Sequence, residues 1–137
     1  MLKTITAHVN NSTGIAARNE LLATADCVCP GENATYECTV HGGVLTVWSG
    51  SVFDDGCSIL LNHSQFESGD EDGVCNNGTV VARGIRKENN YYTSQLTIFV
   101  SSNLTGRTIE CHVYDEQHVT HFDATIELIP SSGVYYK

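Results

Sequence analysis

The sequence predicts an all-β fold, a two-sheet antiparallel sandwich, and three observations carry that prediction. After residue 22, apolar and polar residues alternate in short runs, the period of half-buried strands. Glycine, asparagine and aspartate separate those runs, and these are the residues that turns require. Helical periodicity is almost absent, so nothing supplies the crossover helices that join parallel strands. At 137 residues the chain is about one domain long, enough for a single core that takes roughly two thirds of the unfolded surface out of water.

The elements follow in order. Residues 1–19 are expected to be an N-terminal extension or the start of a first strand, residues 20–130 the domain, and residues 131–137 a linker. Within "GIAARNELLATA", residues 14–25, the residues Ile15, Arg18, Leu21 and Leu22 fit a short amphipathic turn, although a strand entering the sheet is the preferred reading. "ATYECTV" places Ala34, Tyr36, Cys38 and Val40 on one face, and Gly42-Gly43 turns the chain. "VLTVWSGSVF", residues 44–53, has Val44, Thr46 and Trp48 on one side and Leu45 and Val47 on the other. Apolar residues on both sides predict a central strand.

"SILLNH" is a third strand, and "ESGDEDGVCNNG", residues 67–78, reads as a long exposed loop or a weak edge segment. "TVVARGI" and "YTSQLTIFV" follow, the latter with Leu96, Ile98 and Val100 inward. "RTIECHVYD" turns Ile109, Cys111 and Val113 to one face, and "HFDATIELI" does the same with Phe122, Ala124, Ile126 and Leu128. Glu116-Gln117 is the expected hairpin link between these two. With one strand before Cys38, about eight short strands at even spacing favour sheet-on-sheet packing.

Composition narrows the function. A formal charge of −9 opposes nucleic acid and anionic membranes at long range. "MLKTITAHVNNSTG" lacks the apolar core of a signal peptide, and no apolar run is long enough to span a bilayer. The expectation is an excised segment of a longer secreted or membrane-anchored chain. Six N-x-S/T acceptors, at Asn10, Asn11, Asn33, Asn62, Asn77 and Asn103, accompany six cysteines, a combination of the secretory route. No CxxC occurs, and the close pair Cys27 and Cys29 lacks a histidine at zinc-finger spacing, so no metal is expected. Glycans at Asn62 or Asn77 are expected to cover an exposed sheet edge.

Cys38 and Cys111 are each flanked two residues away by inward apolar side chains. They can be a pair of buried thiols, or, on facing sheets in an oxidising compartment, a disulfide against which Trp48 packs.

The run Gly31, Ala34, Tyr36, Cys38, then Trp48, then Leu96, Ile98, Gly106, Ile109 and Cys111 resembles a domain of the immunoglobulin superfamily. Its cysteine separation, with room for extra strands between Trp48 and Leu96, is similar to the variable, V-set type, and the resemblance covers about residues 20–130. It implies a two-sheet immunoglobulin-like sandwich with Cys38 on strand B, Trp48 on C, Leu96 on E, Cys111 on F and Phe122 on G. Cys38 and Cys111 would form the B to F inter-sheet disulfide, with Trp48, Leu96, Ile98 and Ile109 in the core. The chain departs from the family where a tyrosine and an aspartate usually precede the second cysteine, since Ile109 and Thr105 stand there. The tyrosine corner and the G-x-G before the last strand are missing, which argues against an antibody or T-cell-receptor domain. "CPGENATYEC", "TVWSGSVF", "NHSQF" and "YTSQLTIFVSSNLTGRTIEC" resemble V-like domains of invertebrate cell-surface receptors and adhesion molecules, including receptor tyrosine kinases.

Four cysteines remain, with three connectivities. Cys57 with Cys75 is favoured, a staple that would order the acidic loop. Cys27 and Cys29 then close a tight ring, bridge to a second chain or cross to Cys57 and Cys75, and the ring ranks first by elimination.

No hydrolase motif is present. His118 and His121 are read as surface histidines, since their spacing on a strand points them to opposite faces. "GDEDG" offers Asp70, Asp72 and Gly73 in the manner of a calcium loop, but the position for its closing glutamate is Val81, so a solvated acidic loop is expected. The resemblance implies recognition through the outer face of strands C, C′, F and G and nearby loops. Candidates are the loop 67–75, with Asp70 and Asp72, and the turn of Tyr114, Glu116, Gln117 and His118. Tyr114 is the best anchor, although packing on a neighbouring strand explains it equally well. The implied function is a non-catalytic extracellular module of a cell-surface receptor, binding a protein partner or itself, without cofactor, in a membrane-anchored parent. A ligand-binding ectodomain of a receptor tyrosine kinase, or a secreted binding or inhibitory protein, are the alternatives.

Overall fold

Strict alternation builds two facing layers. The computed structural model describes residues 2–10, 19–24, 29–68 and 72–130, with the backbone alone for 2–10, 67–68 and 129–130. Its strands are β1 (Leu2–Asn10), β2 (Glu20–Ala23), β3 (Asn33–His41), β4 (Leu45–Ser49), β5 (Ile59–Asn62), β6 (Asp72–Cys75), β7 (Val80–Glu88), β8 (Tyr91–Phe99), β9 (Thr108–Tyr114) and β10 (Thr120–Pro130). One sheet runs in the order β1, β10, β9, β4, β5 and the other β2, β3, β8, β7, β6. Every neighbouring pair is antiparallel.

The inner faces interlock through the residues that the alternation selects. Tyr36, Cys38 and Val40 of β3 and Leu96 and Ile98 of β8 face Trp48, Ile109, Cys111, Val113, Phe122, Ala124 and Ile126 of the first sheet, all buried. Cys38 and Cys111 are bonded across the layers with Cα atoms 6.6 Å apart. Trp48 stands opposite Cys111 on the neighbouring strand, and its indole N–H donates to Ser94 Oγ of the other sheet at 3.0 Å. This satisfies the one polar atom of the largest buried side chain.

A second disulfide joins Cys57, in the loop before β5, to Cys75 at the end of β6, with Cα atoms 6.0 Å apart. Since β5 and β6 are edge strands of different sheets, this bond ties the layers at their open side. Cys29 is half-buried, while Cys27 and any ring between the two lie outside the described residues.

Local differences from the expected strands have physical causes. The strand through Trp48 ends at Ser49, because Gly50 adopts φ +122° and lies against the backbone of Thr108, where a Cβ would clash. Val52 and Phe53 are buried from the loop that follows. The polar stretch 67–78 splits into the end of a 3-10 turn (His63–Ser68), the short edge strand β6 and a second 3-10 turn (Asn76–Gly78). Residues 20–23 are strand rather than helical turn, and Ile15 and Arg18 lie outside the described residues. In β7 a bulge falls between Gly84 and Arg86, and the Phe66 ring packs so closely on Gly84 that a Cβ there would lie 2.5 Å from it. β1 supplies an extra strand beside β10.

Candidate functional site

The same alternation that fills the core sets the composition of the outer face of the first sheet. On β4 it turns Leu45 and Val47 outward, on β5 Leu60 and Asn62, on β9 Glu110, His112 and Tyr114, and on β10 Asp123 and Thr125. Register then places Val47 between Leu60 and His112, and His112 beside Asp123. Leu60 is 55 % exposed, and Leu45, Val47 and Tyr114 are half-buried. The result is an apolar stripe bordering a charged centre.

His112 forms that centre. Its Nδ1 lies 2.5 Å from Asp123 Oδ1 and its Nε2 2.8 Å from Glu110 Oε1. A neutral imidazole has one N–H, so one carboxylate would face a lone pair; only the imidazolium donates to both. Burial pulls its pKa down, but the hydrogen bonds and charges of Asp123 and Glu110 outweigh that effect and raise it above the ordinary 6.5. The ring stacks on Tyr114, with centroids 6.5 Å apart. His112 therefore neutralises part of the acidic face and fixes its two carboxylates.

The neighbouring end of the sandwich is built on a second histidine whose pKa is shifted the other way. His63 donates from Nδ1 to Gly43 O at 3.0 Å and accepts at Nε2 from the Thr46 hydroxyl at 2.7 Å. It stacks on Tyr92 at 4.2 Å, with Phe66 edge-on at 5.1 Å. Burial lowers its pKa to about 4 despite the bond to Gly43, and His121 and Lys87 add to the fall, so the ring is neutral at pH 7.

The candidate residues from sequence separate. Tyr114 closes β9 beside His112, while Glu116, Gln117 and His118 are exposed in the turn beyond it. That turn spans 115–119 rather than two residues. Asp115 organises it, accepting the backbone N–H groups of Gln117 and Val119 at 2.9 and 3.0 Å, and His118 takes φ +63°. Asp72 is exposed on β6, opposite Arg83 in the other sheet, and so does not join Tyr114; Asp70 lies outside the described residues. His121 reaches the β3–β4 turn, with Nε2 2.6 Å from His41 O. Among the described residues no group of three or more histidine, cysteine, aspartate or glutamate side chains is arranged to hold a metal ion.

No sequence motif marks Glu110, His112, Asp123 or Leu60. The alternation Glu110-x-His112-x-Tyr114 around the inward Cys111 was the available signal, but the partnership with Asp123 needs the cross-strand register.

The acceptors Asn33, Asn62, Asn77 and Asn103 are all exposed. Asn62 ends edge strand β5 beside the outer face of the first sheet. Asn33 stands on the outer face of the second, while Asn77 and Asn103 lie in 3-10 turns at one end of the sandwich. Asn10 ends β1, and Asn11 lies outside the described residues. Compared with family models, curated proteins and solved structures, the chain matches none of them.

Proposed function

We propose that the chain is an extracellular recognition or adhesion module, an immunoglobulin-like V-type domain of a cell-surface receptor, that binds a protein partner or a second copy of itself. The observation that carries the reading is the outer face of the first sheet, where an apolar stripe borders a fixed cluster of charges. The first sheet presents Leu45, Val47, Leu60 and Tyr114 around the fixed charges of Glu110, His112 and Asp123, a mixed surface suited to protein contact. The second presents Thr35, Glu37, Thr39, Gln95 and Thr97 on its central strands, with the exposed Leu22, Val74 and Phe99 spread over β2, β6 and the end of β8, Arg86 3.8 Å from Glu37 and the acceptor Asn33 at its margin.

Strand order supports the immunoglobulin reading in outline. β2, β3, β8 and β7 stand as A, B, E and D, and β10, β9, β4 and β5 as G, F, C and C′. β6 lies at the edge of the A-B-E-D sheet, so only one of the two strands that the variable type adds to C-F-G is on that sheet. Two disulfides and four exposed acceptors support export, and the rigid sheet limits the ordering entropy lost on contact. No catalysis is assigned to the face, whose imidazole nitrogens both engage carboxylates.

The test uses the chain secreted from eukaryotic cells and displayed as an avid multimer, probed against cell surfaces and against itself. Leu60→Arg and Tyr114→Ala are expected to weaken binding by about tenfold or more with an unchanged melting midpoint. Thr97→Arg on the other sheet should leave binding intact. No binding by the multimer, or loss confined to Thr97→Arg, overturns the reading.

A further inference from the structure

We propose that the first sugar of an N-glycan on Asn33 stacks on the ring of Phe99, making this acceptor a structural modification site. The inference rests on the export reading above and adds what one glycan does. Phe99, at the end of β8, is 46 % exposed, and its register partner is Asn33 at the start of β3. An isolated exposed phenylalanine needs no explanation. One whose partner across the ladder is a glycan acceptor has a specific candidate to cover it.

The ladder brings the two side chains together. The N–H of Val100 donates to Glu32 O at 2.9 Å, and that of Phe99 turns away to Thr79 O on the β7 side at 2.9 Å. Asn33 and Phe99 therefore form a non-hydrogen-bonded pair, the kind in which Cα atoms approach to about 4.5 Å and side chains lie closest. Asn33, Gly78, Thr79, Val81, Thr97 and Phe99 line a groove of about 380 Å³, within the size range of small-ligand sites.

Chemistry and tethering favour the sugar as its occupant. The apolar face of an N-acetylglucosamine ring carries C–H groups polarised toward the electron-rich face of an aromatic ring. Attachment through Asn33 makes the contact intramolecular, so that a weak interaction is populated. The other acceptors at this end frame the same ring: Gly78 and Thr79 of the Asn77 acceptor line this groove, and Asn103 lines the adjoining cavity with Phe99. Asn33 is the one directly opposite.

The experiment compares the secreted glycoprotein with variants by site-resolved mass spectrometry and thermal unfolding. Asn33→Gln is expected to lower the midpoint by about 2–5 °C, and Asn77→Gln to leave it within about 1 °C. Enzymatic trimming of each glycan to its first sugar should preserve the midpoint. In a Phe99→Ala background the effect of Asn33→Gln should vanish, and Phe99→Tyr should restore it. In case Phe99→Ala is not secreted, NMR of the wild-type chain with a labelled glycan supplies an independent reading: the first sugar's ring protons should shift upfield.

An occupied Asn33 whose removal costs the same with and without Phe99, or a glycan lacking those shifts, overturns the stacking alone. An empty Asn33 beside occupied Asn62, Asn77 and Asn103 does the same and leaves export standing. Empty acceptors throughout overturn the export reading as well.

Discussion

Two histidines a few strands apart have pKa values shifted in opposite directions, and the difference lies in their partners. His63 meets a carbonyl and a hydroxyl and is buried, so its folded pKa of about 4 lies below the unfolded 6.5. The unfolded chain takes up the proton first, so stability present above pH 6.5 falls as the pH drops toward 4, by up to about 3 kcal/mol. Urea unfolding followed against pH should show this acid limb, and His63→Gln should flatten it. His112 has the reverse sign. Its raised pKa stabilises the fold fully below pH 6.5, and that contribution is lost as the pH rises through the folded value. His112→Gln is therefore expected to cost stability at pH 6 and little at pH 9; an equal cost at both would refute the imidazolium assignment.

Among the elements, β6 depends on a covalent tie. Asp72–Cys75 is four residues with one buried side chain and one neighbouring strand, but the Cys57–Cys75 bond closes a sequence separation of 18, which the chain-entropy model values at about 3 kcal/mol. The double substitution Cys57→Ser with Cys75→Ser is expected to lower stability by up to that amount. It should accelerate amide exchange in β6 well before exchange in β3, β8 and β9. Uniform acceleration would show that the staple acts on the whole core instead. This element also marks the limit of what the sequence makes legible. Inward alternation marks β3, β8, β9 and β10 because Cys38, Leu96, Cys111 and Phe122 each have an apolar residue two positions further on, at Val40, Ile98, Val113 and Ala124. "DGVC" has no such period, and the order of edge strands is decided by long-range packing. Likewise Tyr114 was legible as an aromatic at a strand end. The Glu110, His112 and Asp123 cluster was not, because a register shift between Thr120 and Phe122 decides which β10 residue lies beside His112.

At the scale of the molecule, the Cys38–Cys111 bond closes a separation of 73 residues, worth about 4–5 kcal/mol in the chain-entropy model, comparable with the net stability of a small domain. Reduction under conditions that spare the folded state is expected to shift the urea midpoint strongly, and Cys38→Ala with Cys111→Ala to reproduce most of that shift. The pairing of β1 with β10 has a mechanical consequence. Leu2 lies opposite Pro130, so tension applied through these two points peels the terminal strands apart one rung at a time instead of shearing all their hydrogen bonds together. Such a zipper yields at low force. The slack then ends at the inter-sheet bond, because no chain between Cys38 and Cys111 can be paid out while it holds. A single-molecule pulling trace should show an early, soft release followed by a short locked tether, lengthening to the full contour only in reductant: a domain that gives a little under load and then behaves as a strap.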